Sequence, residues 1–260
     1  MYDLVIKDAT ILDGTGNARY DANIAIKNGI IRKIHRKSIS GGEREIDARG
    51  RYVTPGFIDG VNHSDTHVTL LNQSSQDSMV RQGVTTIVGG QCGASLAPLI
   101  GVRAIQSIQK WGNINALNIN WQTMAEYLSY LDVQPLGVNY ATLTGYGTLR
   151  RGLLHDQYRG LSEQELQVML QQIKQSLKQG SLGLSQGLAY GHLRMATFEE
   201  LAEVGKLIGK MGKTQVLHLR DDGQSIVQAV EEGIALAMST GAKTHFAHLK
   251  ILGKKNWKYF

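Results

Sequence analysis

Four side chains that can bind a metal ion stand where predicted strands end. These four are His63, Cys92, His218 and His248. Three more polar residues follow shortly after them, namely Asp65, Arg220 and Lys250. Because the carboxyl ends of parallel strands meet at one edge of a sheet or at one mouth of a barrel, these side chains are predicted to lie close together.

The spacing of two histidines points to a shared ion. His218 and His248 are 30 residues apart, about the length of one strand–helix unit, so they are predicted to occupy equivalent places on neighbouring strands. With Cys92 nearby, the set combines one thiolate with two imidazoles, and such soft and borderline ligands suit zinc. The residue types and their spacing therefore suit a shared zinc ion.

Each of these residues also has a structural interpretation. A single histidine at a strand end is more often a hydrogen-bonded core or loop residue than a ligand, and a single cysteine is more often a small buried hydrophobic residue. The residues alone leave both interpretations open. Four other histidines lack the strand-end placement and are predicted to be structural or on the surface: His35, His155, His192 and His245.

The elements that must position these residues follow from periodicity. Residues 1–54 contain the strand-like runs LVIKDATIL, NIAIKNGIIRKIH and RYVTP, and Asn28-Gly29 supplies the positive φ angles of a two-residue hairpin turn. A small β module is predicted there. From residue 55 onward, apolar strand-like runs alternate with helical stretches, which predicts βα units and a parallel sheet over residues 55–260.

Six strand candidates follow residue 54: GFIDGVNH, VTTIVGGQC, GVNYATLTG, GSLGLSQGLAY, TQVLHLR and THFAHLK. Residues 101–135 are more irregular, and we expect them to cover one mouth of the sheet. Consecutive parallel units build either an open doubly wound sheet or a (β/α)₈ barrel. No GxGxxG or Walker sequence favours the first.

Helices are predicted between these strands. Capping boxes at Ser162 and Thr197 open helices that run to about residues 178 and 211. After TQVLHLR, the stretch SIVQAVEEGIALAMS places four apolar residues on one helical face: Ile226, Val230, Ile234 and Ala237.

Composition bounds the class of protein. The 260 residues, 42% of them hydrophobic, can bury one large core or one large and one small core. No run of about 18 apolar residues occurs and the first residues include acidic ones, so a cytoplasmic protein without a membrane span is expected. The net charge of +6 is scattered along the chain, which argues against nucleic-acid binding. The single cysteine excludes an intramolecular disulfide.

Several stretches resemble a known family. PGFIDGVNHSD resembles the amidohydrolase opening motif, in which two histidines on the first barrel strand bind metal. RQGVTTIVGGQCGASLAP is more similar still to the N-acyl-D-amino-acid deacylases, whose motif contains a metal-binding cysteine. GVNYATLTGYGTLR, GLSQGLAY, HLRDDGQSIVQAVEE and AHLKILGKKNW also resemble that group, so the resemblance covers nearly the whole chain.

The resemblance implies an α/β fold in which a small N-terminal β-sandwich module precedes a TIM (β/α)₈ barrel. It implies zinc as cofactor and a small N-acyl-D-amino acid as substrate. By position, Cys92, His218 and His248 match the ligands of a tightly held zinc, and His63 matches the second metal-binding histidine of the opening motif. Lys250 matches a lysine that helps to hold the substrate carboxylate, and Tyr190 matches a pocket position.

Two departures from the family limit what it implies. Val61 replaces the first histidine of the opening pair, so the resemblance does not supply a complete second metal site. The family's catalytic aspartate follows the eighth strand, whereas only about six of eight barrel units are recognised here, so the general acid/base stays unassigned. We expect an incomplete barrel whose first and last strands have unpaired edges, and we expect this chain to be only marginally stable alone. A second chain could supply the missing strands.

Two other functions stay open at this point. A zinc-binding protein without catalytic activity would keep the three ligands for structure or for association with a partner, and bound zinc without hydrolysis would favour it. A hydantoinase-like hydrolase of cyclic amides is the other. Those enzymes commonly use a carboxylated lysine as bridging ligand, and the cysteine motif argues against that alternative.

Overall fold

A computed structural model describes residues 1–101, 118–155 and 157–259. The chain divides into two compact units, Met1–Phe57 and Ile58–Phe260. Sheets occur in both units and the described helices lie in the second, so the predicted α/β class is confirmed. No helix among the described residues is long and apolar enough to cross a membrane. The cytoplasmic location stays a prediction.

The first unit is built on a mixed five-stranded sheet. Its strands are β1 (Tyr2–Ile11), β2 (Tyr20–Lys27), β3 (Ile30–His35), β4 (Gly42–Asp47) and β5 (Tyr52–Val53). The order is β3-β2-β1-β4, and β5 also pairs with β1. Asn28 and Gly29, with φ angles of 53° and 70°, connect the antiparallel strands β2 and β3, which confirms the predicted hairpin.

Strands occur in all six regions predicted after residue 54. They are β6 (Phe57–Asp59), β7 (Val84–Gly89), β8 (Asn139–Thr142), β9 (Thr144–Gly145), β10 (Gly183–Gly187), β11 (Thr214–His218) and β12 (Lys243–Phe246). The third region holds two short strands, β8 and β9, on either side of Leu143. This residue donates its N–H to the Gly89 carbonyl at 3.1 Å and packs against Val216 and Ala247.

The strands of the second unit form two sheets. One has the order β12-β11-β10-β9 with every pair parallel, and the other has the order β6-β7-β8. The register places Gly187 opposite His218, and Leu217 opposite Phe246. The carboxyl ends of β10, β11 and β12 therefore lie at one edge, as the spacing of the histidines predicts.

Seven α-helices are described, all in the second unit. They are α1 (Thr69–Asn72), α2 (Asp77–Val80), α3 (Met124–Asp132), α4 (Tyr146–Leu154), α5 (Glu163–Lys178), α6 (Phe198–Lys210) and α7 (Ile226–Thr240). The predicted capping box of α5 is complete, between Ser162 and Glu165. At α6, Thr197 accepts from the Glu200 N–H at 3.2 Å, but the Glu200 carboxylate turns inward to Arg150.

The predicted face of α7 is partly wrong. Ile226 is buried, but Ile234 is 46% exposed. The buried positions are Ile226, Ala229, Gly233 and Leu236. A Cβ atom at Gly233 would lie 2.7 Å from the Phe246 ring, so the helix presents small residues to β12 in order to pack closely. The sequence-based prediction placed Ile234 on the apolar face because of its residue type and did not account for this close packing.

The expected irregular cover over residues 101–135 is also corrected in part. Residues 102–117, including Trp111, lie outside the described residues. The described remainder contains α3, which begins with a capping box between Thr123 and Glu126. Three residues of this part are buried in one cluster with Ile87 of β7: Trp121, Met124 and Tyr127. This part therefore packs against a strand as a regular helix.

Candidate metal centre

Three of the four predicted metal ligands lie together. The Cys92 Sγ is 3.2 Å from His248 Nε2 and 3.4 Å from His218 Nδ1. One ligand atom from each residue lies within 4.8 Å of the other two, and no other such group of histidine, cysteine and acidic residues occurs in the described part of the chain. The two imidazole rings are nearly perpendicular, at 89°, with centroids 4.4 Å apart.

Strand ends place these three residues as the sequence predicts, but two of them need an unusual backbone. His218 is the last residue of β11, whereas Cys92 and His248 follow β7 and β12 in loops. Cys92 and His248 have backbone φ angles of 53° and 36°, which residues other than glycine rarely adopt. Such a backbone costs on the order of 1–3 kcal/mol at each position and is typical of functional sites.

Two glycines allow the Cys92 loop to lie close to its neighbours. A Cβ atom at Gly187 would lie 2.1 Å from the Cys92 carbonyl oxygen, and one at Gly90 would lie 2.1 Å from the Leu143 carbonyl oxygen. Gly90 also has a φ of 71°. Only glycine fits at these contacts, so the position of the Cys92 thiol depends on them.

The electrostatics suit a metal site. Burial lowers the pKa of His218 to about 4, which keeps its imidazole neutral and able to bind a cation at neutral pH. Burial raises the pKa of the Cys92 thiol to about 11, against the opposing charge of Lys250 and a hydrogen bond with Tyr190. Since a divalent cation replaces that thiol proton, one sulfur and two imidazole nitrogens form a donor set that fits zinc.

The two predicted substrate-binding residues lie beside the cluster. The Tyr190 ring centroid is 5.3 Å from that of His218, and burial raises the pKa of Tyr190 to about 12. The Lys250 Nζ is 3.1 Å from His248 Nδ1, and its side chain is 41% exposed. An exposed ammonium next to the cluster can reach an anionic group of a bound molecule.

One residue of the site was not predicted. The Asp222 Oδ2 lies 2.6 Å from Lys250 Nζ and 3.2 Å from His218 Nε2. Its sequence signal is the Asp-Asp pair directly after HLR, but the sequence does not show which aspartate turns inward. The tertiary structure determines that Asp222 faces His218.

His63 lies outside the group of three. It lines a cavity of about 390 Å³ together with Cys92 and Tyr190, and burial lowers its pKa. Its role as a ligand stays a prediction. His192, predicted to be structural or on the surface, also lines this cavity.

Two further polar residues from the strand ends have structural contacts. Arg220 pairs with Glu232 at 2.7 Å and donates to the Arg194 carbonyl at 2.8 Å. Asp65 is fully buried and accepts from the N–H groups of Gly90 at 2.7 Å and Thr66 at 2.8 Å. Burial raises the Asp65 pKa to about 6. Asp65 thereby holds the turn that leads to Cys92.

Comparison with known proteins identifies the family of the chain. A family model described as the amidohydrolase family matches residues 44–256. A D-aminoacylase from Alcaligenes xylosoxydans xylosoxydans is 30% identical over 98% of this chain and 52% of its own length. The chain thus spans about half the length of the curated relatives it matches.

Solved structures of related enzymes are also similar to this chain. A D-aminoacylase described as having a binuclear metal centre superposes with a TM-score of 0.88 and 31% identity, over 98% of this chain and 53% of that one. An N-acyl-D-glutamate deacylase from Bordetella bronchiseptica, complexed with zinc and a phosphonate inhibitor, superposes with a TM-score of 0.89 and 28% identity, over the same shares of the two chains.

Proposed function

This chain belongs to the amidohydrolase family, and on that premise we propose that the protein hydrolyses the amide bond of N-acyl-D-amino acids at the candidate metal centre. The observation that carries the proposal is the cluster of Cys92, His218 and His248, with ligand atoms within 4.8 Å of one another. A thiolate with two imidazoles at strand ends is the donor set that the deacylase resemblance implies.

The architecture of the deacylases is part of the proposal. Residues 1–54 would form the N-terminal β-sandwich module, and residues 55–260 an incomplete metal-dependent hydrolase barrel of about six of eight units. The parallel order β12-β11-β10-β9 and the helices between these strands support it. Because the matched relatives are about twice as long, hydrolysis is proposed for the whole protein, with a second chain as one source of the remaining units.

Zinc is the proposed ion, held by Cys92, His218 and His248. When bound, it supplies Lewis-acid polarisation of the amide carbonyl and activation of water. His63 is proposed as a further ligand from the cavity wall that it shares with Cys92. Val61 offers no ligand and packs against the cluster of Leu143, Val216 and Ala247, so the first histidine of the opening motif is missing beside His63.

The chain's own residues hold the substrate. Lys250 is proposed to bind the carboxylate of the amino acid, since its ammonium is partly exposed beside His248. Tyr190, against His218 and in the cavity wall, is proposed to orient the substrate there. The general acid/base is not assigned to a residue. The deacylase relatives, matched over 98% of the chain, do not favour the cyclic-amide alternative.

Enantiomer binding tests this function in the chain itself. Calorimetric titration of the zinc-loaded chain should show N-acetyl-D-methionine binding tighter than the L enantiomer by about tenfold or more. Lys250, the metal and Tyr190 would contact the substrate at three points, the minimum that distinguishes two enantiomers. The Cys92→Ala variant should lose this preference with its zinc. Equal affinity for both enantiomers contradicts the proposal, and acetate release by the whole protein separates an enzyme from a zinc-binding protein without catalytic activity.

A further inference from the structure

We propose that Asp222 is a positioning residue, which orients His218 for the metal and anchors Lys250 for the substrate through one carboxylate oxygen. The inference rests on the proposed function and deepens it. Asp222 follows His218 by four residues, beyond the end of β11, and its side chain is 9% exposed. A buried carboxylate is stable only where it is paired, and both partners of Asp222 are residues of the site.

The contact with His218 fixes which ring nitrogen faces the metal. Asp222 Oδ2 is 3.2 Å from His218 Nε2, while His218 Nδ1 is 3.4 Å from the Cys92 Sγ. A carboxylate only accepts hydrogen bonds, so Nε2 carries the proton and Nδ1 presents its lone pair to the cluster. Carboxylates that accept from metal-bound histidines orient the ring and raise its affinity for the ion.

The contact with Lys250 holds a flexible cation at the cluster. The Lys250 Nζ donates to the same oxygen at 2.6 Å, and its side chain remains 41% exposed. Because lysine loses considerable rotamer entropy on ordering, an anchor of this kind keeps the ammonium where an anionic substrate can reach it. A single oxygen thus joins a metal ligand to a substrate-binding residue, and the two binding events are predicted to be coupled.

The adjacent aspartate provides a matched control. Asp221 turns away from the cluster, and its Oδ1 accepts from the N–H groups of Gly223 at 2.6 Å and Ser225 at 3.2 Å. Its side chain is 31% exposed. The two aspartates therefore have different roles. Asp221 stabilises the turn before α7, whereas Asp222 contacts His218 and Lys250.

Zinc affinity tests the proposal directly. Competition with a chromophoric chelator should show that D222N binds zinc about 10- to 100-fold more weakly than the unmodified chain, whereas D221N changes the affinity by less than about threefold. Thermal unfolding of both variants checks that each is folded. Equal zinc affinity of D222N and the unmodified chain overturns the inference. Failure of the unmodified chain to bind zinc would instead overturn the proposed function.

Two further readouts respond to positioning and not to a merely structural role. Long-range ¹H–¹⁵N correlation spectra of the metal-free chain should show the Nε2–H tautomer of His218, with a mixed population in D222N. In a double-mutant cycle, the change in zinc affinity caused by K250M should differ by about threefold or more between the unmodified chain and D222N. Additive effects on zinc affinity contradict the coupling, and the same His218 tautomer in both chains contradicts the role of Asp222 in orienting the ring. Both measurements can still be made if D222N is less stable.

Discussion

Replacing Cys92 by alanine should weaken zinc binding by on the order of a thousandfold. The Cys92 Sγ is the atom common to the cluster, 3.2 Å from His248 Nε2 and 3.4 Å from His218 Nδ1. The variant keeps two imidazoles but loses the thiolate, the strongest donor for zinc in the set. Metal content after dialysis, with a chelator titration for the affinity, measures the loss.

His245→Asn is the control for this prediction. His245 lies on β12, three residues before His248, and is exposed. Its removal should leave the zinc content unchanged. If the Cys92→Ala and His245→Asn variants both retained one zinc per chain at unchanged affinity, Cys92 would not be a ligand.

Replacing Arg150 by methionine should lower the free energy of unfolding by about 3–5 kcal/mol. Arg150 is 1% exposed, and its Nε donates to Glu200 Oε1 at 3.1 Å. Methionine fills a similar volume but leaves the buried Glu200 carboxylate without its cation, and the Tyr146 hydroxyl and the Leu161 N–H only partly offset that loss. Urea denaturation of both chains gives the difference.

An exposed ion pair of the same type is the control. Arg159 pairs with Glu165 at 2.7 Å, with side chains 43% and 24% exposed. Arg159→Met should cost less than about 1 kcal/mol, because water screens that pair. Equal losses in the two variants would show that burial of the Arg150–Glu200 pair does not decide its contribution.

The Arg150 network also supports the cavity beside Cys92. Arg150 Nη1 donates to the His192 carbonyl at 2.8 Å, and His192 lines the cavity. Sequence patterns did not reveal this role. The Thr197 signal correctly predicted the start of α6, but it also assigned Glu200 to a capping box, whereas the acid is needed inside the fold.

Short sequence motifs correctly predicted the elements that depend on interactions between neighbouring residues. The Asn28-Gly29 hairpin and the capping box at Ser162 depend on a few neighbouring residues, and both occur where expected. The buried face of α7 depends on its partners instead. Gly233 faces inward because the Phe246 ring occupies the space that a side chain would need, and that contact joins residues distant in the sequence.

In the candidate site, too, some features could be predicted from the sequence and others could not. Strand periodicity and the interval between His218 and His248 were sufficient to predict that these two residues lie close to Cys92. The positive φ angles of Cys92 and His248 were not predictable, since neither residue type favours that backbone. Asp222 was missed because two identical side chains stand next to each other, and only the turn after β11 decides which one faces inward.

Zinc K-edge X-ray absorption of the zinc-loaded chain identifies the atoms that bind the ion. We expect one sulfur at about 2.3 Å and two imidazole nitrogens at about 2.0–2.1 Å in the inner coordination sphere. The sulfur should be absent from any zinc that remains in the Cys92→Ala variant. A coordination sphere of nitrogen and oxygen alone in the unmodified chain would contradict a metal centre built on Cys92, His218 and His248.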